Sequence, residues 1–510
     1  MRYGFVIDQR KCIGCHACTV ACKEENQVPL GAFRTWVKYV ERGAFPHTRR
    51  HFAVLRCNHC DDAPCVTICP TVALHRRPDG IVDLDGARCI GCKSCMQACP
   101  YDALYIDPAS GTAAKCHYCA HRVEVGLAPA CVIVCPEQAI VAGDLDDAAS
   151  AVARLLAREE VQVRKPEQGT RPKVFYLGAD SAALTPSLQA PGERYMWAQR
   201  PDDEASLVRM VASLERRDGD AARARAVYDV PHMVRPWGWK VSTYLWTKAI
   251  AAGVALLTGA GGGLLGATGP ALSLVFLALT AALLVLDLRR PERFLYILLR
   301  PNPRSWLVWG AWILVAFGAV EALAFAAVVA GRPLPGIADV PVVLLALAAA
   351  GYSAFLFGQA EGRDFWQGAL KLPHLIVGAV AAGSAALLVV APAWTLPGAP
   401  AGTGTPATAL VPTLMLALLA HAVLVLVELL TRHASRDAAA AAALLRRGAL
   451  AWRLWGGALG GGVLTPLALL FVAAGTESAA LTLAGAVAAL AGLWLYEDLW
   501  VRAGQAIPLS

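Results

Sequence analysis

From residue 136 to residue 510 this 510-residue chain has no cysteine, and charged side chains make up only 17% of the whole. Disulfides therefore cannot staple the greater part of it. So little charge beside 56% hydrophobic residues excludes a disordered chain and makes a fully soluble one untenable. The opening MRYGFVIDQR contains neither a long apolar stretch nor a twin-arginine pair, so no export signal is expected. Histidine is scarce in the apolar part. Only His421 sits well inside a run, while His374 lies at an end and His232 and His433 lie outside. Bis-histidine ligation needs pairs, so no haem is expected. A net charge of +7 is modest, and no nucleic-acid partner is expected.

What the chain does have is 16 cysteines, all between Cys12 and Cys135, in four groups of four. They are Cys12, Cys15, Cys18, Cys22; Cys57, Cys60, Cys65, Cys69; Cys89, Cys92, Cys95, Cys99; and Cys116, Cys119, Cys131, Cys135. Pro70, Pro100 and Pro136 follow the last three groups. Three closely spaced thiolates surround one face of a cubane, and the fourth, past a helical turn, is aimed at the other cluster of a pair. Disulfides give no reason for C-x2-C-x2-C-x3-C-P repeats, and zinc seldom takes such quartets. Both stay behind the reading of four [4Fe–4S] clusters.

The nesting of these quartets, with Cys57-Asn58-His59-Cys60, Pro64-Cys65 and Lys115-Cys116-His117-Tyr118-Cys119-Ala120-His121-Arg122, resembles the iron–sulfur subunit of the complex iron–sulfur molybdoenzymes. That family includes dimethyl sulfoxide, polysulfide and tetrathionate reductases and membrane-bound sulfite dehydrogenases. The resemblance covers residues 1–180 and implies a crossed ligand set. Cys12, Cys15 and Cys18 would share a cluster with Cys135, and Cys116, Cys119 and Cys131 with Cys22. Cys57, Cys60 and Cys65 would take Cys99, while Cys89, Cys92 and Cys95 take Cys69. Short strands are expected at Tyr3–Asp8, Ile81–Asp85 and Ala103–Asp107, with a turn at Pro108–Gly111. His59, His117 and His121 read as neighbours of the sulfurs rather than ligands. Three regions follow: 1–145, a ferredoxin-like iron–sulfur domain; 146–240, a basic linker and partner-contact segment; and 241–510, a membrane domain. In the linker, Asp146–Glu160 and Asp202–Arg217 read as amphipathic helices, with Arg164–Lys173 extended between them.

Apolar stretches of spanning length occur at about 241–260, 270–288, 305–330, 340–360, 374–393, 408–430, 454–474 and 478–500. The fold class is thus α+β, a double ferredoxin-like domain followed by an all-α bundle of eight transmembrane helices. Gly261–Gly266 formally matches a dinucleotide fingerprint, but it follows no soluble strand and is read as a membrane turn. The odd-to-even connections contain one basic residue, Arg332, whereas the even-to-odd connections contain Arg289, Arg290, Arg293, Arg300, Arg304, Arg363, Lys371, Arg432, Arg436, Arg446, Arg447 and Arg453. The positive-inside rule then puts both termini and the iron–sulfur domain in the cytoplasm, on a multi-pass inner-membrane protein. Pro236–Lys240, Tyr244–Lys248, Asp287–Phe294 and Ser305-Trp306 carry a second resemblance, to the NrfD-like polysulfide-reductase anchor over residues 235–505. It implies quinone (or menaquinone) binding.

Ionisable groups inside lipid are functional candidates by default. Quinone proton exchange is assigned to Asp287 and His374, and head-group binding to Lys248, Tyr244, Gln359 and Glu361. Glu321, His421 and Glu428 form a candidate proton path, while Glu497 and Asp498 read as interfacial. No pterin-binding domain is recognisable, so substrate chemistry is expected on a separate molybdopterin-type catalytic subunit. The reading is an electron-transfer and membrane-anchor subunit of a molybdenum or tungsten oxidoreductase, with sulfite oxidation as the first substrate. One alternative is a quinol-oxidising anchor of a polysulfide, thiosulfate or tetrathionate reductase. Another is a proton-translocating respiratory module without a molybdenum partner.

Overall fold

The computed structural model describes residues 1–43, 46–189, 224–232, 236–260, 266–332, 334–390 and 406–510. The expected helix Asp202–Arg217 and most of the Gly261–Gly266 run lie outside them. The chain divides into two units, Met1–Val234 with Pro508–Ser510, and Arg235–Ile507.

The first unit is built around β1 (Tyr3–Asp8), whose aromatic and β-branched residues suit a strand buried on both faces. It pairs in parallel with β10 (Val174–Leu177) and antiparallel with β8 (Ile140–Asp144), and β9 (Val161–Gln162) completes a sheet of order β8-β1-β10-β9. A second sheet has the order β11-β2-β3, from Arg225–Tyr228, Thr35–Arg42 and Arg49–Arg56. Two small hairpins complete the unit. They are β4 (Leu74–Arg76) with β5 (Val82–Leu84), and β6 (Leu104–Ile106) with β7 (Ala113–Lys115). The turn between β6 and β7 is closed by the Asp107 carboxylate, which accepts from Ala109 N and Ser110 N at 2.8 and 3.2 Å. In the linker the helix is shorter than expected, Ala151–Arg158, because Ser150 caps it by accepting from Ala153 N. The stretch Arg164–Lys173 is not extended throughout: Pro166–Gln168 forms a 3-10 turn that ends at Gly169 in the left-handed region.

In the second unit eight helices are long and apolar enough to cross a membrane, among the described residues: Trp239–Thr258, Thr268–Leu286, Trp306–Val329, Gly336–Gly358, Lys371–Val390, Ala409–Leu430, Arg453–Thr476 and Ala479–Ala506. They are called the first to eighth spans below. The first and fifth pack on each other and both touch the fourth and eighth, so these four form the centre of the unit. Close approach depends on glycine. A Cβ on Gly253 of the first span would lie 1.8 Å from Ala379 O of the fifth, and one on Gly462 of the seventh 2.3 Å from Gly492 Cα of the eighth. Leu323, Leu416 and Phe471 are exposed, on faces where lipid replaces water. The seventh span begins as a π-helix over Arg453–Leu464, a rare geometry that widens the turn.

Candidate functional site

Each cysteine run of the first unit bends through the left-handed backbone region. His16, His59, Lys93, Tyr118 and Cys119 have φ between 44° and 64°, with Gly14 and Gly91 beside them. Such turns bring thiols from successive residues to one point. The result is four separate cysteine-lined cavities. One is lined by Cys12, Cys15, Cys18 and Cys135, a second by Cys22, Cys116, Cys119 and Cys131. A third has Cys57, Cys60, Cys65 and Cys99, and the fourth Cys69, Cys89, Cys92 and Cys95. In every cavity one cysteine comes from a different sequence group than the other three.

The donor set fits cubane clusters. None of the 16 cysteines is in a disulfide. Backbone amides donate toward the sulfurs: Leu74 N to Cys69 Sγ at 3.4 Å, Ala113 N to Cys89 Sγ at 3.4 Å, and Ala139 N to Cys135 Sγ at 3.2 Å. Arg56 Nη1 donates to Cys131 Sγ at 3.1 Å. Burial pushes the Cys18 thiol up to about 11 and Cys116 up to about 12, so these sulfurs ionise readily only against a bound cation. The histidines stand aside. His59 Nδ1 accepts from Val82 N at 3.2 Å, His117 Nδ1 from Cys119 N at 3.2 Å, and His121 pairs with Glu25 at 2.7 Å.

The membrane unit gathers a polar cluster around its central helices. Lys248 of the first span is fully buried. It donates to Ala350 O at 3.1 Å and Ser353 Oγ at 2.6 Å, and lies 4.4 Å from the centre of the Tyr352 ring. Tyr244 is buried one turn away on the same helix. On the fifth span, His374 stacks on Tyr496 at 4.6 Å and meets His421 edge-on at 4.6 Å. His374 Nε2 and His421 Nδ1 are buried without a hydrogen-bond partner among the described residues. Tyr496 and Trp500 donate to Glu428 at 3.1 and 3.2 Å. Lys371 stands 3.3 Å above the Trp500 ring and 3.5 Å from Glu497.

Several expectations change here. Glu321 does not join His421 and Glu428. It is buried on the third span, which packs on the second and fourth, whereas the sixth span packs on the fifth and seventh. Both Glu321 carboxylate oxygens are buried, with the Ser273 hydroxyl, which donates to Ala251 O at 3.0 Å, as the neighbouring polar group. Gln359 is spent on structure: its Oε1 accepts from Trp306 N at 2.8 Å and its Nε2 donates to Arg304 O at 2.6 Å, capping the third span. Glu361 is exposed in the following turn. Glu497 and Asp498 lie within the eighth helix rather than at its end. Asp498 is buried, bonded to Ser242 at 3.2 Å and to Arg502 at 2.6 Å, because the eighth helix continues to Ala506. Lys371, Tyr496, Trp500, Tyr352 and Ser353 were missed as site residues. An apolar run shows its polar members but not which of them face one another.

Residues 49–145 match a family model described as a 4Fe-4S dicluster domain, and residues 229–508 match one described as polysulphide reductase, NrfD. The chain is similar to a tetrathionate reductase subunit of Salmonella typhimurium, 48% identical over 202 residues, 39% of this chain and 80% of that one. It is also similar to a putative dimethyl sulfoxide reductase iron-sulfur subunit of Halobacterium salinarum, 36% identical over 262 residues, 45% of this chain and 95% of that one. One chain of the polysulfide reductase of Wolinella succinogenes is 39% identical over 181 residues, 34% of this chain and 94% of that one.

Proposed function

Because the chain belongs to the NrfD polysulphide reductase family and carries a 4Fe-4S dicluster domain, we propose that it passes electrons between the membrane quinone pool and a separate catalytic subunit through four [4Fe–4S] clusters. The observation that carries this is the closure of four cysteine quartets around four cavities in the crossed grouping. A single structural staple needs one cluster, whereas four in linked pairs make a conductor. When bound, each cluster supplies one-electron storage and transfer.

Quinol oxidation releases two protons and two electrons. His374, with its buried unpartnered Nε2, accepts one proton, and Asp287, at the end of the second span, takes the other. Lys248 and Tyr244 orient the head group. From His374, the ring contact with His421 and the Tyr496–Glu428 hydrogen bond supply the next groups of a proton route. Gln359 and Glu361 are left out, and Glu321 stands apart from the route.

The relatives above are reductase subunits by name, and sulfite oxidation finds no support among them. The reading therefore moves to the reductive direction, with quinol as donor and a sulfur-chain or sulfur-oxyanion substrate reduced on a molybdopterin-type partner. The basic-residue count supports an inner-membrane protein with its iron–sulfur unit in the cytoplasm.

Purification of the tagged protein from native membranes in mild detergent tests this. About 16 iron atoms per chain, with molybdenum or tungsten in a large co-purifying subunit active on tetrathionate or polysulfide, is the expected result. Full iron without such a subunit would overturn it in favour of a respiratory assembly module.

A further inference from the structure

Arg56 ends β3, directly before Cys57, and its side chain is fully buried. It lines the cavity of Cys22, Cys116, Cys119 and Cys131. Nη1 donates to Cys131 Sγ at 3.1 Å, and the guanidinium lies 4.5 Å from the centre of the Phe5 ring. Nε and Nη2 are buried without a hydrogen-bond partner, and no carboxylate pairs with Arg56 among the described residues. Of the other buried cations of this unit, Lys38 is 3.6 Å from Asp229 and Lys173 is 3.3 Å from Asp61, whereas Lys115 and Arg164 donate to backbone carbonyls.

A buried guanidinium without a carboxylate is costly unless negative charge stands beside it. The negative charge here is sulfur. A cubane held by four thiolates is an anion, and it becomes one unit more negative on taking up an electron. A fixed cation with an N–H aimed at a ligand sulfur favours the reduced form over the oxidised one, and hydrogen bonds to sulfur and local charge are what set such potentials. The other cavities are lined differently. Glu137 and His16 border the Cys12, Cys15, Cys18, Cys135 cavity, Asn58 and Tyr101 the Cys57, Cys60, Cys65, Cys99 cavity, and Lys93 and Thr71 the Cys69, Cys89, Cys92, Cys95 cavity. Arg56 sets an N–H of a charged side chain on a cysteine sulfur.

We infer that Arg56 is a tuning residue that raises the reduction potential of the cluster held by Cys22, Cys116, Cys119 and Cys131, making it a resting place for electrons along the chain. The inference rests on the reading that this quartet holds a cluster. One electron enters the cluster, no bond breaks, and Arg56 keeps its proton throughout. The Phe5 ring beneath the guanidinium fixes its plane, so Lys would keep the charge but lose the directed N–H.

The test is an EPR-monitored potentiometric titration of the full-length protein, the Arg56→Gln variant and the Arg56→Lys variant, each with its iron content. In Arg56→Gln one cluster signal should become harder to reduce by about tenfold, which is about 59 mV for a one-electron couple, while the others hold. Arg56→Lys should shift the same signal by less. Full iron with every signal unmoved would overturn the inference. Loss of iron in both variants would assign the guanidinium to folding, and would overturn it too. Absence of any cluster signal in the unmodified protein would instead refute the underlying reading.

Discussion

The two units bury ionisable side chains on different terms. In the iron–sulfur unit buried cations meet carboxylates or sulfur from distant parts of the sequence: Lys173 meets Asp61, Lys38 meets Asp229, and Arg56 meets the Cys131 sulfur. In the membrane unit the ionisable groups come together from different spans and lie largely against aromatic rings. His374, His421 and Lys371 each keep a buried nitrogen without a hydrogen bond among the described residues. Unsatisfied polar groups in lipid are expensive, which supports the proposed quinone role for the membrane cluster, whereas the buried cations of the iron–sulfur unit lie against carboxylates and a cysteine sulfur.

That contrast can be broken most sharply at a sulfur. Cys131→Ser should empty one cavity, lower iron from about 16 to about 12 atoms per chain, and stop electron transfer, while the membrane helices still form by circular dichroism. Next, His374→Ala should slow quinol oxidation at least tenfold, about 1.4 kcal/mol of barrier. Dithionite should still reduce every cluster, and unchanged quinol kinetics would remove His374 from the site. A smaller effect is expected at the contact between the first and fifth spans. Gly253→Ala should cost about 1–3 kcal/mol through overpacking, read as a lower melting temperature. Gly378→Ala, with nothing within 4 Å of the added methyl, should not. The smallest is a pH effect confined to the iron–sulfur unit. Burial disfavours the His232 cation, but Asp102 and Asp229 outweigh it and raise its pKa from 6.5 to about 9. The resulting stabilisation is complete below pH 6.5 and lost as pH rises through about 9. His232→Gln should flatten this part of the melting profile.

The same contrast explains what could be read in advance. Thiolate chemistry imposes its own spacing, so the quartets and their neighbouring prolines announce themselves along the chain. The spans are equally plain, since lipid demands long apolar helices. Which polar residues meet was not legible, because apolarity all round a helix carries no phase. Asp498 illustrates the cost: placed near an expected helix end at residue 500, it is buried against Ser242 and Arg502 on a helix that runs six residues further. Gln359 errs in the opposite direction, a polar residue at a span end whose amide is consumed by a neighbouring helix start.

The crossed grouping of cysteines also sets a timetable for synthesis. Cys12, Cys15 and Cys18 leave the ribosome first, but the fourth sulfur of their cavity, Cys135, emerges last of all sixteen. The cavities completed by Cys99 and by Cys95 can close while the outer two still lack members. In the proposed assembly the two inner cavities can therefore be filled before the outer two, and a chain truncated between residues 99 and 116 would hold every cysteine of the inner pair and an incomplete set for each outer one.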